Sequence, residues 1–199
     1  MALRKGDATR TRILDEATRQ VAIRGLTAAS LGDLAEAVGL SKSGLFKHFE
    51  SKEAMQLAVV ERVQEQFSDF VWAPFQDMPA GRARLEAIFD RWLDWSEGHW
   101  ADHGCPIMAL SVELDDQPGP LRDALRKGML RWRRTLVREF MAMGQPPLGE
   151  EAAAAAYFQM KSYLLGHGEA RRLMGDPDAR RSARAAFHAL LDRCDRRAA

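Results

Sequence analysis

Cysteine and long apolar runs are both scarce in this chain. Of its 199 residues only Cys105 and Cys194 are cysteines, which excludes a framework of several disulfides. The longest uncharged apolar run covers residues 152–158, whereas a membrane-spanning helix needs roughly 20 apolar residues. Residues 1–10 lack the apolar core of a secretory signal. These absences predict a soluble cytoplasmic protein with no membrane partner.

An excess of one charge sign and the usual catalytic signatures are also missing. The formal net charge is +1, which excludes a chain-wide polycation but leaves room for a local basic face. We find no nucleophile elbow, phosphate-binding loop or catalytic dyad. The sequence therefore predicts a protein that is not an enzyme and that needs no cofactor.

No segment alternates apolar and β-branched residues with polar ones, so strands are not expected. Apolar residues instead recur at helical spacing between Gly, Pro, Ser and Asp boundaries. The fold class predicted is all-α. The predicted helices cover residues 9–24, 31–38, 41–49, 52–71, 80–96, 106–114, 118–143, 150–174 and 178–194.

The second and third predicted helices have the spacing of a helix-turn-helix. Ser30 and Ser41 are expected to cap their first turns, and Ser51 to cap the fourth helix. Gly39 allows the positive φ of a sharp turn, and Gly25 does the same after the first helix. The exposed face of the third helix would then be available to enter a DNA major groove.

The chain resembles the TetR family of bacterial repressors over residues 9–55. The resemblance is carried by "RGL" at 24–26, "LAEAVGLSKSGLFKHF" at 34–49 and "SKE" at 51–53. It implies an N-terminal helix-turn-helix domain of three helices over residues 1–52. A larger helical bundle for ligand binding and dimerisation would cover residues 53–199.

The resemblance also implies a function. The chain is expected to be a homodimeric repressor that binds a palindromic double-stranded DNA operator, with half-sites roughly 34–36 Å apart. A small apolar or amphipathic effector would release it. The dimer would form through the last two helices.

The candidate DNA-contacting residues cluster around the third helix. Lys42, Ser43 and Lys47 are expected to contact base edges, because lysine donates to guanine acceptors and serine to most edges. Gly44 would permit close approach of the backbone. Phosphate or van der Waals contacts are expected from Thr27, Ser30, Phe46, His48 and Lys52.

Phe46 is a departure from the family pattern, which usually has tyrosine at this position. Phenylalanine keeps the ring but loses the hydroxyl that can donate to a phosphate. Part of the phosphate binding is therefore expected to fall on His48 and Lys52. Arg10, Arg12 and Lys5 precede this region, either as an arm that reaches phosphates or as a solvated face.

Large apolar side chains on the later helices could line an effector cavity or simply form the core. Glu113, within the apolar run "MALSVEL", could be a surface residue, a buried partner of an arginine, or a polar anchor for the effector. The candidate effector-binding residues are Phe67, Phe70, Phe89, Trp92, Met108, Glu113, Met129 and Trp132.

Cys105 gives an alternative function, a thiol-based redox-sensing regulator, because a helix start can lower the pKa of a thiol. His99 and His103 lie nearby, but a further zinc ligand is not evident, so no metal site is predicted. For the dimer, the predicted contact faces are residues 152–156 with Tyr157, Met160 and Leu164, and Ala185 with Phe187, Leu190 and Leu191.

Overall fold

The local signals for helix starts and stops account for most of the observed fold. The computed structural model describes residues 5–100 and 103–196, without the side chains of Lys5 and His99. Within these ranges all regular elements are helical, which confirms the all-α prediction. The α-helices are α1 (Lys5–Arg24), α2 (Leu31–Ala37), α3 (Lys42–Phe46), α4 (Lys52–Val71), α5 (Arg82–Asp94), α6 (Pro106–Leu114), α7 (Pro120–Met141), α8 (Glu150–Arg172) and α9 (Ala179–Arg196). A 3₁₀ turn, Ala73–Phe75, follows α4, and a π-helical turn, Trp95–His99, follows α5.

Two helix ends differ from the prediction by more than two residues. Helix α1 begins at Lys5 instead of residue 9, with Asp7 in its first turn, where a negative charge is favourable. Helix α3 ends at Phe46, three residues early, because the backbone tightens there. The amide of His48 donates to Leu45 O at 3.0 Å, which is an i→i−3 bond.

The predicted caps and turns are confirmed. Ser30 Oγ accepts from the amides of Gly32 and Asp33, and Ser41 Oγ accepts from Gly44 at 3.0 Å. Ser51 Oγ accepts from the amide of Ala54. Gly25 and Gly39 have φ values of +82° and +66°, which a side chain would strain.

The chain forms two compact units. Unit 1 contains Met1–Phe67 and Asp102–Gly128, and unit 2 contains Ser68–Ala101 and Met129–Ala199. The boundary predicted after residue 52 separates DNA binding from effector binding and dimerisation, whereas the two units are defined by their internal contacts. The functional boundary stays a prediction. No helix in the described part of the chain is long and apolar enough to cross a membrane.

The core of unit 1 is the one expected for a helix-turn-helix. The apolar face of α1 is buried, with α2 and α6 packed against this helix and α3 packed against α2. Leu40, in the turn between α2 and α3, is half-buried. The buried side chains are Ile13, Leu14, Ala17, Val21, Leu34, Ala35, Val38, Leu45 and Phe49. We call α1, α2 and α3 together the head.

In unit 2, α5 packs against α9 through a pair of stacked rings. The ring centroids of Phe89 and Phe187 lie 4.1 Å apart, and both side chains are buried. Ion pairs flank the rings, with Arg184 to Asp90 at 2.9 Å and Arg82 to Asp192 at 2.8 Å. These long-range contacts fix which face of each helix is internal.

A buried ion pair joins α5 to α7 in unit 2. Arg84 donates to both carboxylate oxygens of Glu139, Nε to Oε2 at 2.8 Å and Nη2 to Oε1 at 2.6 Å. The Nη1 of Arg84 donates to the carbonyls of Gln76 and Met78, at 2.9 and 2.6 Å. The pair therefore also holds the loop between α4 and α5.

The predicted dimer faces of α8 and α9 are partly wrong. Met160 on α8 and Phe187, Leu190 and Leu191 on α9 are buried within unit 2, because these two helices pack against each other. Their apolar periodicity therefore marks the core of the subunit. The exposed stripe of α8 shares Ala155 with the predicted face but has otherwise different members, and we call it the α8 stripe: Ala155, Phe158, Ser162 and Leu165.

Candidate DNA-contacting surface and effector region

Helix α3 presents one buried and one exposed face. Leu45 is fully buried and anchors the helix, whereas Lys42, Ser43 and Lys47 are exposed. Phe46 is 41% exposed. The arrangement leaves the predicted contact residues accessible.

One of these side chains has a hydrogen-bond partner, and another lies against α2. The hydroxyls of Ser41 and Ser43 lie 3.0 Å apart and share a hydrogen bond. A Cβ at Gly32 would lie 3.2 Å from Lys42 Cε, so the lysine stem runs over the first turn of α2. Lys42 therefore lies close to Ser30, the residue that caps α2.

The other predicted contact residues lie within α3 or near it in the chain. Thr27, Ser30 and Lys52 are exposed, while Gly44 and His48 are half-buried. Their roles toward DNA stay predictions.

Two arginines of α1 have a role that neither sequence interpretation included. Arg12 Nη2 donates to Val38 O, at the end of α2, at 2.9 Å. The guanidinium of Arg10 lies 5.1 Å from the centroid of the Phe49 ring. Both cations therefore stabilise the head. Local sequence could not show this, because Arg12 and its acceptor are 26 residues apart.

Glu113 has a contact that its three sequence interpretations did not include. Its Oε2 accepts from the amide of Leu26 and its Oε1 from the amide of Thr27, both at 2.6 Å. The carboxylate of α6 thus holds the turn between α1 and α2. Its role as an effector anchor stays a prediction.

The remaining effector candidates fall in both units. Phe67 and Met108 belong to unit 1, with Phe67 buried and Met108 half-buried. In unit 2, Trp132 meets Trp92 edge-on, with ring centroids 5.7 Å apart. Phe89 stacks on Phe187 in the core, and Met129 is half-buried.

Phe70 lies at an open cleft of unit 2 with a volume of about 620 Å³. Arg91 covers this ring, with its guanidinium carbon 3.7 Å from the centroid, and donates to Phe70 O. Asp94, Glu97 and Gly98 complete the lining. The cleft therefore combines one aromatic ring with charges of both signs.

Glu97 at this cleft ties the π-helical turn to α8 and α9. His167 Nε2 donates to Glu97 Oε1 at 2.8 Å, and Arg180 Nη1 donates to Oε2 at 2.5 Å. Burial raises the pKa of Glu97, but hydrogen bonds and charge from Arg180 and His167 outweigh it. The net pKa lies below the ordinary 4.5.

We expect the Glu97→Gln variant to lose stability in a pH-dependent way. Because the pKa of Glu97 is lowered on folding, its charge stabilises the protein above about pH 4.5, and this contribution is lost as pH falls through the folded-state pKa. The Tm difference between wild type and variant should be full at pH 7 and shrink below about pH 4.5. Glu61→Gln, at an exposed position, is the control. A difference that stayed constant down to pH 3 would contradict the assignment.

The structure describes only some of the side chains considered as metal ligands near Cys105. The side chain of His99 lies outside the described residues. Among the side chains that are described, no group of three or more His, Cys, Asp or Glu residues could hold a metal ion.

The head and its exposed α3 define the class of a helix-turn-helix DNA-binding protein. Two family models match the chain: "Bacterial regulatory proteins, tetR family" at residues 13–59, and "Tetracyclin repressor-like, C-terminal domain" at residues 81–187. The second alone covers more than half of the sequence. The chain belongs to the TetR family of transcriptional regulators. This confirms the predicted class, a regulator and not an enzyme.

Known proteins agree with this assignment. The chain is 36% identical to the transcriptional repressor KstR2 of Rhodococcus jostii over 83 residues, which are 40% of this chain and 39% of that protein. It therefore spans about two fifths of that relative's length. A TetR regulator from Chloroflexus aurantiacus has a TM-score of 0.79 at 25% identity, with 96% of each chain covered.

A further solved structure matches in fold alone. AibR, in complex with isovaleryl coenzyme A and operator DNA, has a TM-score of 0.68 at 20% identity. The match covers 92% of this chain and 96% of AibR.

Proposed function

We propose that this protein is a ligand-responsive repressor that binds a palindromic operator as a homodimer. The observation that carries the proposal is the exposed face of α3. Lys42 and Ser43 in this helix and Lys47 directly after it are exposed, while Leu45 is buried and anchors the helix. Residues 1–52 would bind DNA, and residues 53–199 would bind the effector and the second subunit. An α3 from each subunit would enter successive major grooves.

Contacts to the DNA backbone would orient α3. Thr27 and Ser30 precede α2, and His48 and Lys52 follow α3. Lys52 begins the 20-residue α4, whose first amides also favour a phosphate. Phe46 would contribute van der Waals or stacking contact in place of a hydroxyl donor.

Release by an effector requires a helix that can transmit a displacement. Helix α4 is continuous from Lys52 to Val71, so a shift of its C-terminal end would also move Lys52. An effector that binds the shifted state more tightly would lower operator affinity by the same differential free energy. In this mechanism the effector does not contact the DNA.

A small apolar or amphipathic effector suits the aromatic side chains of unit 2. Trp92, Trp132 and Phe70 supply ring surface, while Arg91 and Asp94 supply polar groups at the cleft. The fold neighbour AibR binds isovaleryl coenzyme A, a ligand with an apolar acyl chain and a polar remainder. A thiol switch at Cys105 is the alternative function, and the relatives do not favour it.

The Lys47→Ala variant tests base contact by α3. We expect it to weaken binding to a DNA site selected from a random pool by about 1–3 kcal/mol, and to relax the preference at one base position, because lysine donates to guanine acceptors. Fluorescence anisotropy over a salt series measures both quantities. Lys127→Ala, an exposed lysine of α7, is the control.

Two outcomes would count against these assignments. Equal weakening on all sequences, with a salt slope reduced by about one, would make Lys47 a phosphate contact. If the wild-type protein selected no sequence from the pool, the operator-binding function itself would be refuted.

A further inference from the structure

The turn between α1 and α2 is held by a side chain far away in sequence. The amides of Leu26 and Thr27 donate to the two carboxylate oxygens of Glu113, each at 2.6 Å. Hydrogen bonds to an ionised acceptor are about twice as strong as those between neutral groups. Glu113 thus fixes two consecutive peptide units of the turn.

The turn is shaped to admit this carboxylate. A Cβ at Gly25 would lie 2.8 Å from Glu113 Oε2, closer than side-chain carbons approach. The φ of Gly25 is +82°, so the same residue provides both the backbone conformation and the space. The two features belong to one arrangement of α6 on the head, within unit 1.

The fixed turn leads directly into the helix-turn-helix. Thr27 is held through its own amide, and three residues later Ser30 caps α2. The end of α2 is held in turn by Arg12, through Val38 O. A carboxylate on α6 therefore helps set where α2 begins, and with it the exposed groups of Thr27 and Ser30.

We infer that Glu113 is a positioning residue for DNA binding, through which α6 keeps the head in its DNA-binding geometry. The inference rests on the proposed operator-binding function. Glu113 contacts the backbone of the turn, and its effect on DNA would pass through Thr27 and α2. Loss of both bonds would free the turn and lower operator affinity.

The Glu113→Gln variant tests the inference. Glutamine keeps one acceptor oxygen, but its NH₂ group cannot accept from the second amide. We expect binding to the selected DNA site to weaken at least about tenfold, because Thr27 and Ser30 would lose their position relative to α3. Non-specific binding should weaken less and the salt slope should stay unchanged, because Thr27 and Ser30 are uncharged and the charged contact of Lys52 stays in place. Amide hydrogen exchange at Leu26 and Thr27 should accelerate by a similar factor. Asp116→Asn, an exposed carboxylate after α6, is the matched control.

The outcomes separate this inference from the proposed function. Faster exchange at Leu26 and Thr27 with unchanged operator affinity would overturn the positioning role while leaving operator binding intact. Absence of specific binding by the wild type would refute both. If Glu113→Gln does not fold, Glu113→Asp, which keeps the charge but withdraws it by one methylene, takes its place with the same expected results. A merely structural role would not change specific binding relative to non-specific binding.

Discussion

Replacing Glu139 with glutamine is expected to lower the free energy of unfolding by about 3–5 kcal/mol. The change leaves the guanidinium of Arg84 buried opposite a neutral group, with the carbonyls of Gln76 and Met78 and the ring of Trp72 as weaker partners for its charge. Urea denaturation at fixed protein concentration measures the effect. For a chain of this size the Tm should fall by roughly 10 °C.

A double variant separates the cost of an unpaired charge from the value of the pair. Arg84→Met with Glu139→Leu should cost less than Glu139→Gln alone, because no buried charge is left without a partner. Glu61→Gln, at an exposed position of α4, should stay within about 0.5 kcal/mol of wild type. A loss below about 1 kcal/mol for Glu139→Gln would mean that solvent reaches the pair.

The Phe158→Glu variant is expected to be monomeric and to bind the operator at least about 100-fold more weakly. Phe158 is 71% exposed in the middle of the α8 stripe, and Leu165, one heptad later, is 42% exposed. Large rings at such exposure favour a protein partner. In the proposed dimer a charge there would be buried against the second subunit without a partner.

The loss in affinity follows from the geometry of a palindromic operator. Two linked heads bind two half-sites, so the second binding event is intramolecular and raises the overall affinity by a factor of about 10²–10⁴. Sedimentation velocity gives the oligomeric state, and anisotropy gives the affinity. Leu130→Glu, an exposed leucine of α7, is the matched control.

The results would also test which face forms the dimer. Phe158→Glu remaining dimeric with full operator affinity would contradict the proposed interface. If the variant stayed dimeric but bound DNA more weakly, Phe158 would lie outside the dimer interface. Its effect on DNA affinity would then not come from loss of the dimer.

Exposed small residues on α9 fit the same interface. Ala185 and Ala189 lie four residues apart and are both exposed, as are Ala155 and Ser162 of the α8 stripe. Small side chains allow helices to approach closely, which suits a bundle of two helices from each subunit.

The sequence by itself determined the parts of the fold that depend on neighbours within one helical turn. Ser41 caps α3 through an amide three residues away, and Gly39 takes the positive φ required between α2 and α3. Such interactions depend on residue type and spacing alone. The helix-turn-helix and its exposed candidates could therefore be predicted from residue types and spacing.

Only the tertiary structure decided how the faces and charges are used. Phe187 and Phe158 both sit in apolar helical patterns, yet packing of α8 on α9 buries the first and exposes the second. Glu113 bonds to amides 86 and 87 residues away, and Arg84 to a carboxylate 55 residues away. A sequence pattern shows that a residue is apolar or charged, but its partner depends on which helices pack together.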